Sequence, residues 1–372
     1  MTDTRSEILF VFASAKVAGI EVAWRNLIQL IHAEYRIRIV IWGGHGPIIE
    51  SYVQMGIPVN VLGADQGLLR AVWKLFRLLR RSQYDVVITS GIYSDTVVRF
   101  LRRFCRIGYY VTLIPGLTTS VGISKLRLWF LDATSGPVDK YLFNSENNAS
   151  LYRQYPSIRN KVEVMKLGIE RLPDKKIMQW NASRVLDSSG VFRMICVANM
   201  SPVKNQIFLV DLFDSKRTQL KDVQLVFVGK GSLKSGLQET CTKRNIPGIT
   251  FLQDVPDINQ VLGSSDAFIF ASHFEGTPVA IMEAMNAGLP VIAYQGESYS
   301  GVNELVKDGQ TGQLVESFNM EAWISAIQRL KDDRKYRFLL GQRAREWIQP
   351  YTLPRVSTAT KQMIDRWINE SA

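Results

Sequence analysis

Two carboxylates bracket the start of one helix in the stretch Ser272-His273-Phe274-Glu275-Gly276-Thr277-Pro278-Val279-Ala280-Ile281-Met282-Glu283-Ala284-Met285-Asn286-Ala287-Gly288-Leu289-Pro290. The apolar run from Ala267 to Phe270 leads in as a strand. Thr277 as N-cap, with Pro278 at the first helical position, predicts the turn into a helix, and Gly288 with Pro290 predicts its stop. Glu275 then lies in the loop at the carboxyl end of the strand, and Glu283 about one and a half turns into the helix. Each carboxylate can accept from a pair of vicinal hydroxyls, while the free amides of the helix start suit phosphate or sugar oxygens. Ala280, Ala284 and Ala287 are small enough for a bulky ligand to come close. The chemistry this favours is recognition of a polyhydroxylated, phosphate-bearing molecule; for Glu283 alone the plain alternative is a solvated helix residue.

Such a site needs a scaffold, and the rest of the chain predicts one. Strand-like runs at Ile8–Ala13, Ile37–Trp42, Val59–Leu62, Val86–Thr89, Tyr109–Leu113 and Lys140–Phe143 alternate with amphipathic, helix-like stretches. After a Pro-, Lys-, Asn-, Asp- and Ser-containing lapse the alternation resumes at Met194–Val197, Leu225–Val228, Ile249–Leu252, Ala267–Phe270 and Val291–Ala293. Strands alternating with helices imply βαβ units and parallel sheets. The predicted class is α/β, with two doubly wound Rossmann-like domains: residues 1–170, a linker over 171–190, residues 191–353, and a closing helix in 354–372 that could pack back on the first domain. Ligands of such sheets bind at the carboxyl ends of the strands, where Glu275 falls.

Composition narrows the function. A chain of 372 residues, 46% hydrophobic and 21% charged, is neither disordered nor a minidomain. Cys105, Cys196 and Cys241 lack metal-type spacing and a disulfide framework, which predicts plain thiols in a reducing compartment. The run Ile8–Ala13 reads as a first strand rather than a signal core, because Asp3 and Glu7 outweigh Arg5 ahead of it. No apolar stretch approaches the ~20 residues that cross a bilayer, so a soluble or peripheral protein is expected.

The net charge of +11 is unevenly placed: up to residue 172 there are 22 Lys and Arg against 13 Asp and Glu. Within residues 66–127 stand Arg70, Lys74, Arg77, Arg80, Arg81, Arg99, Arg102, Arg103, Arg106, Lys125 and Arg127, opposed by Asp85 and Asp95. Such a patch suits nucleic acid, an anionic membrane, a phosphate-bearing substrate, or a solvated face. Arg70, Lys74, Arg77 and Arg81 recur at helical spacing opposite Leu68, Val72, Leu75 and Leu79, and Arg99, Arg102, Arg103 and Arg106 repeat the arrangement beside Val98, Leu101 and Cys105. The apolar stripes are expected on the sheet, leaving the basic faces with Trp73 and Phe76 for an anionic membrane surface. Nucleic acid is not expected as a partner, for want of an aromatic single-strand platform or a recognition helix.

The run from Glu275-Gly276-Thr277-Pro278 through Glu283-Ala284-Met285 to Gly288-Leu289-Pro290-Val291 resembles the E-x7-E signature of the retaining nucleotide-sugar glycosyltransferases of family 4, which have the GT-B fold. The resemblance implies that Glu283 holds the ribose of the donor nucleotide and Glu275 the transferred sugar. It also implies nucleotide contact at Gly229-Lys230-Gly231, bracketing of the base near Asp254-Val255, and approach of backbone to the diphosphate at Ala18-Gly19-Ile20-Glu21. Ser300-Gly301-Val302-Asn303-Glu304 matches the segment after the helix. Where the family carries an Arg and, five residues later, a Lys against the diphosphate, this chain has Asn199 and Lys204; where relatives often place a His after the fifth strand, it has Val111-Thr112-Leu113-Ile114-Pro115-Gly116. His273 adjoins the donor loop, and a packed or surface histidine is its plain reading.

The implied activity is metal-independent, retaining transfer of a hexose-type unit from a nucleoside diphosphate sugar to a hydroxyl. The donor would lie on the second domain and the acceptor, a glycan or lipid-linked glycan, on the first, with no cofactor beyond the donor. Family members of this kind commonly build surface polysaccharide or glycolipid on the cytoplasmic leaflet, which gives the expected location as cytoplasmic and peripheral. A GT-B epimerase or phosphorylase is the neighbouring alternative.

Overall fold

Strands apolar on both faces need helices above and below. The computed structural model, which describes residues 5–16, 19–114, 131–186 and 190–371, has that arrangement twice. The first sheet comprises β1 (Glu7–Phe12), β2 (Arg36–Ile41), β3 (Val59–Val61), β4 (Tyr84–Ser90), β5 (Ile107–Ile114), β6 (Lys140–Phe143) and β7 (Val162–Val164). Its order is β3-β2-β1-β4-β5-β6-β7, all parallel. The second comprises β8 (Phe192–Val197), β9 (Val223–Val228), β10 (Ile249–Leu252), β11 (Ala267–Phe270), β12 (Val291–Tyr294) and β13 (Gly312–Val315), in the order β10-β9-β8-β11-β12-β13 and again parallel. Ile8 to Val11 and Ala267 to Ile269 are fully buried, as central parallel strands must be.

Sheet order reverses between β1 and β4 in one unit and between β8 and β11 in the other, and the loops leaving such strands diverge to open a ligand crevice. At the first reversal Gly91 has φ 108 and lies so close to Ala13 that a Cβ there would sit 2.5 Å from the Ala13 side chain. Glycine is what lets β4 end there.

The chain divides into two compact units, residues 1–168 with 351–372, and residues 169–350. The closing helix Leu353–Ser371 therefore completes the first unit. Its Trp367 stacks on Tyr109 at 5.9 Å and donates to Glu163, and Asp365 accepts from Tyr35 at 2.7 Å.

The linker expected over 171–190 is a correction: Asp174–Leu186 is a helix of the second unit. Its polar composition hides anchors. Arg345 binds Asp174 at 2.7 Å, Arg184 donates to the Leu262 carbonyl, and the Trp180 ring lies where any Cβ on Gly263 would fall, 2.2 Å away. Two arginines, one Trp and the buried Ile177, rather than an apolar stripe, hold this helix, so its pattern carried no period to read. Strands β7 and β13 were likewise absent from the pattern; each is a short edge strand, of three and four residues.

Candidate active site

The site assembles at the reversal point of the second sheet. After β8 the chain passes Asn199 and makes a short 3-10 turn, Pro202–Lys204, closed by Asn205 in the left-handed region at φ 51. After β11 it runs through Ala271–Pro278 into the helix Val279–Asn286. Two bonds staple these loops together: the His273 amide donates to the Val203 carbonyl at 2.8 Å, and the Ser272 hydroxyl to the same carbonyl at 3.2 Å. The staple sets Lys204 against Glu275, and their side chains form an ion pair that is largely buried on the carboxylate side.

Glu275 is held at its backbone as well. Its carbonyl accepts from the Gly301 amide at 3.1 Å, and Gly301 lies so tightly on Gly276 that an added Cβ would collide with the Gly276 carbonyl. The helix starts one residue later than expected: Pro278 is the N-cap and Thr277 lies outside, because proline's fixed φ lets it end the loop without needing a side-chain cap. Glu283 falls in the second turn of this helix, partly buried, with no hydrogen-bond partner for its carboxylate among the described residues. Burial pushes its carboxyl up to about 7. The two carboxylates thus differ in kind: Glu275 is neutralised by a lysine, and Glu283 awaits donors.

The neighbouring loops complete the rim. Gly229 and Gly231, at φ 146 and 149, let the turn after β9 press on the segment after β8; a Cβ on either would lie within 2.3 Å of the Ala198 or Met200 carbonyl. That contact is sealed by the Met200 amide donating to the Lys230 carbonyl at 2.7 Å. Lys230 pairs with Asp254 at the end of β10, which holds the Asp254 carboxyl below the usual range, and Val255 follows, half-buried. Asn199 is exposed, and its carbonyl accepts from Gln206 at 3.2 Å. Glu275, Lys204, Gly276, Thr277, Pro278, Asn199, Gly229, Lys230, Gly231, Asp254 and Val255 therefore all lie in loops or short turns at the carboxyl side of one sheet, with Glu283 one turn further along the helix that follows β11. His273 is exposed, its ring 4.9 Å from that of Phe318. Gly19 opens the helix Gly19–Ile31 in the first unit; its neighbour Ala18 lies outside the described residues, as do Pro115, Gly116, Lys125 and Arg127.

Residues 179–347 match the family described as glycosyl transferases group 1, and residues 18–168 match the glycosyl transferase 4-like domain. The chain belongs to these glycosyltransferases. It is 24% identical over 283 residues to an Escherichia coli UDP-Gal:alpha-D-GlcNAc-diphosphoundecaprenol alpha-1,3-galactosyltransferase, covering 72% of this chain and 71% of that one. It is 23% identical to the capsular polysaccharide biosynthesis glycosyltransferase CapH of Staphylococcus aureus, covering 89% and 92% respectively. Among solved structures, Anabaena Alr3699/HepE in complex with UDP-glucose superimposes with a TM-score of 0.82 at 19% identity, covering 97% of this chain and 99% of that one. The two doubly wound domains are those of a GT-B glycosyltransferase.

The basic patch of this glycosyltransferase differs from expectation at two arginines. Arg99 is buried, pairing with Asp95 at 2.8 Å and donating to Thr134 at 2.9 Å. Asp95 also accepts from Tyr110 and Thr112, both at 2.6 Å, so Arg99 neutralises a buried polar cluster. Arg102 likewise turns inward, to Asp139 at 2.7 Å and to the Pro137 and Gly108 carbonyls. Arg70, Lys74, Arg77, Arg80, Arg81, Arg103 and Arg106 remain at the surface.

The apolar stripe of the helix Leu68–Arg81 is also rotated: Ala71, Leu75 and Leu79 are buried, while Leu68 is exposed beside Leu69. Sequence reasoning missed the exposed Phe100 and Phe104, whose rings pack at 5.5 Å in the open. Phe100 lies in and Phe104 just beyond the helix Ile92–Leu101, in which Val98 and Leu101 are core while Ile92 and Tyr93 are exposed, so no period separates them. No helix among the described residues is long and apolar enough to cross a membrane.

Proposed function

We propose that this glycosyltransferase transfers a hexose-type unit from a nucleoside diphosphate sugar, with retention of anomeric configuration, to a hydroxyl of a lipid-linked glycan. The observation that carries the reading is the unpartnered carboxylate of Glu283 on the helix whose entry loop pairs Glu275 with Lys204. A ribose diol would supply the donors Glu283 lacks, and the diphosphate would compete with Glu275 for the Lys204 ammonium. In the step itself the bond from the anomeric carbon to the diphosphate oxygen breaks, and its electron pair leaves with the diphosphate. The acceptor oxygen bonds to the same face, and its proton passes to the departing phosphate. Lys204 and backbone amides meet the charge that develops on the leaving group, which is where fixed positive groups contribute most. In this reading no metal is needed, and Glu275 orients the sugar.

The surface of the first unit supports this acceptor and a membrane location. Seven exposed bases interleave with exposed Leu69, Trp73, Phe100 and Phe104, a combination that suits the anionic cytoplasmic face of a membrane, each base contributing about 1 kcal/mol near such a leaflet. Relatives named for capsule synthesis and for a diphosphoundecaprenol substrate support a lipid-linked acceptor.

The test is transfer from UDP-glucose and UDP-galactose, in the presence of EDTA, to a synthetic lipid-linked glycan, with the anomeric configuration of the product read by NMR. An α-linked product from the α-donor is expected. A β-linked product overturns retention, and loss of turnover with EDTA overturns metal independence.

A further inference from the structure

The outer edge of the first sheet carries a cleft of about 430 Å³ lined by no residue of the Glu275, Lys204 and Glu283 site. The helix Leu68–Arg81 forms one wall and strands β2 and β3 the other. Arg38, Lys74, Arg77 and Arg81 line it together with Trp73 and Leu78, and no acidic residue joins them among the described residues. Four cations gathered without a counter-ion repel one another unless an anion is shared between them.

Arg38 is the least satisfied of the four. It stands in β2 between Ile37 and Ile39, which are buried on the other face, and its Nε is buried with no hydrogen-bond partner among the described residues. A buried guanidinium N–H without an acceptor carries a desolvation cost that a ligand oxygen would relieve. Lys74 spends one donor on the Leu62 carbonyl at 3.1 Å and keeps two. Arg77 lies over the Trp73 ring at 5.4 Å, which fixes the plane of its fork.

We propose that this cleft holds the phosphate of an anionic lipid headgroup, and favours a terminal phosphomonoester over a phosphodiester. Guanidinium forks pair with two oxygens of one phosphate, and a terminal phosphate offers three unesterified oxygens where a diester offers two. A lipid rather than a free anion is indicated by the same helix: Leu69 is 85% exposed and Trp73 55%, with Leu68 beside them, an apolar ledge at the cleft that a free anion leaves uncovered. The proposal rests on membrane docking and adds to it a headgroup that the protein reads.

Sedimentation with phosphatidylcholine vesicles carrying either phosphatidic acid or phosphatidylglycerol, matched in surface potential at physiological salt, tests it. Phosphatidic acid vesicles should bind about fivefold more tightly, the effect of one further charge-assisted contact. Arg38→Gln should erase the difference while keeping the weaker binding, and Arg77→Gln, on the exposed helix face, should reduce it should the strand substitution fail to fold. Equal binding to both vesicles overturns the headgroup cleft and leaves docking in place. Binding to neither removes both. A rise in melting temperature with inorganic phosphate that Arg38→Gln loses, without any preference between the vesicles, makes the cleft a free-phosphate site and overturns the lipid.

Discussion

The Lys204 ammonium and the Glu275 carboxylate, 71 positions apart in sequence, neutralise each other across the β8 and β11 loops. Each therefore holds the other in place before any donor arrives, and neither charge is free. Removing Lys204 leaves a buried carboxylate without its partner, which costs more than the pair contributes. Lys204→Ala and Glu275→Ala should each lower transfer by about 100-fold or more, the scale of losing one positioned charge at a leaving group. Steady-state kinetics of the two single variants and the double variant should give strongly non-additive losses; simple additivity would show that the residues act independently.

On the role proposed for Glu283, donor binding should depend on pH. Its carboxyl is raised from 4.5 to about 7, and hydroxyl donors favour only the ionised form. Affinity for UDP should fall as pH drops below 7, approaching about tenfold per unit, with a proton released on binding. Calorimetry at pH 6 and 8 checks this, and Glu283→Gln should bind weakly and equally at both.

The same shift has a sign for stability. Because the folded value lies above the unfolded one, the free protein loses stability as pH rises from 4.5 through 7. Glu283→Gln should accordingly raise the melting temperature at pH 8 and lose that advantage below pH 4.5. A melting temperature unchanged at pH 8 would mean that the carboxylate is well solvated.

Asn199 is exposed at the carboxyl side of the second sheet, with no side-chain partner among the described residues. Asn199→Arg should fit and add positive charge near the departing diphosphate, raising the transfer rate. Abolished transfer would show that Asn199 makes a contact of its own with the donor.

The arginines of the first unit divide into two classes. Replacing Arg77, Arg80, Arg81 and Arg103 by Ser should weaken sedimentation with anionic vesicles at low salt and leave the melting temperature within a few degrees. Arg99→Ala should instead destabilise by about 3–5 kcal/mol, because it strands Asp95 in the core. Denaturant unfolding of both variants separates the classes.

Much of this was legible in the sequence where a local rule decides it. Central strands such as β1, β6 and β11 are short apolar runs, and the Glu275 to Glu283 stretch carries its own turn and stop signals. What was not legible depends on residues far apart. Nothing near Lys204 announces that Ser272 and His273 will clamp its turn onto Glu275. Nothing near Arg99 announces that Tyr110 and Thr112 will crowd its Asp95 into the core. Phe100 looks like any core phenylalanine until the helix face is known.

The closing helix has a consequence for how the protein is made. Its Trp367 and Asp365 cover Tyr109 and Tyr35 of the first unit, yet they are synthesised after the whole second unit. During translation the first Rossmann-like domain must wait, with an aromatic face bare, while 169–350 emerge and fold. A nascent chain stalled before residue 353 would hold a finished second unit and an unfinished first one, a species inclined to aggregate and to recruit chaperones.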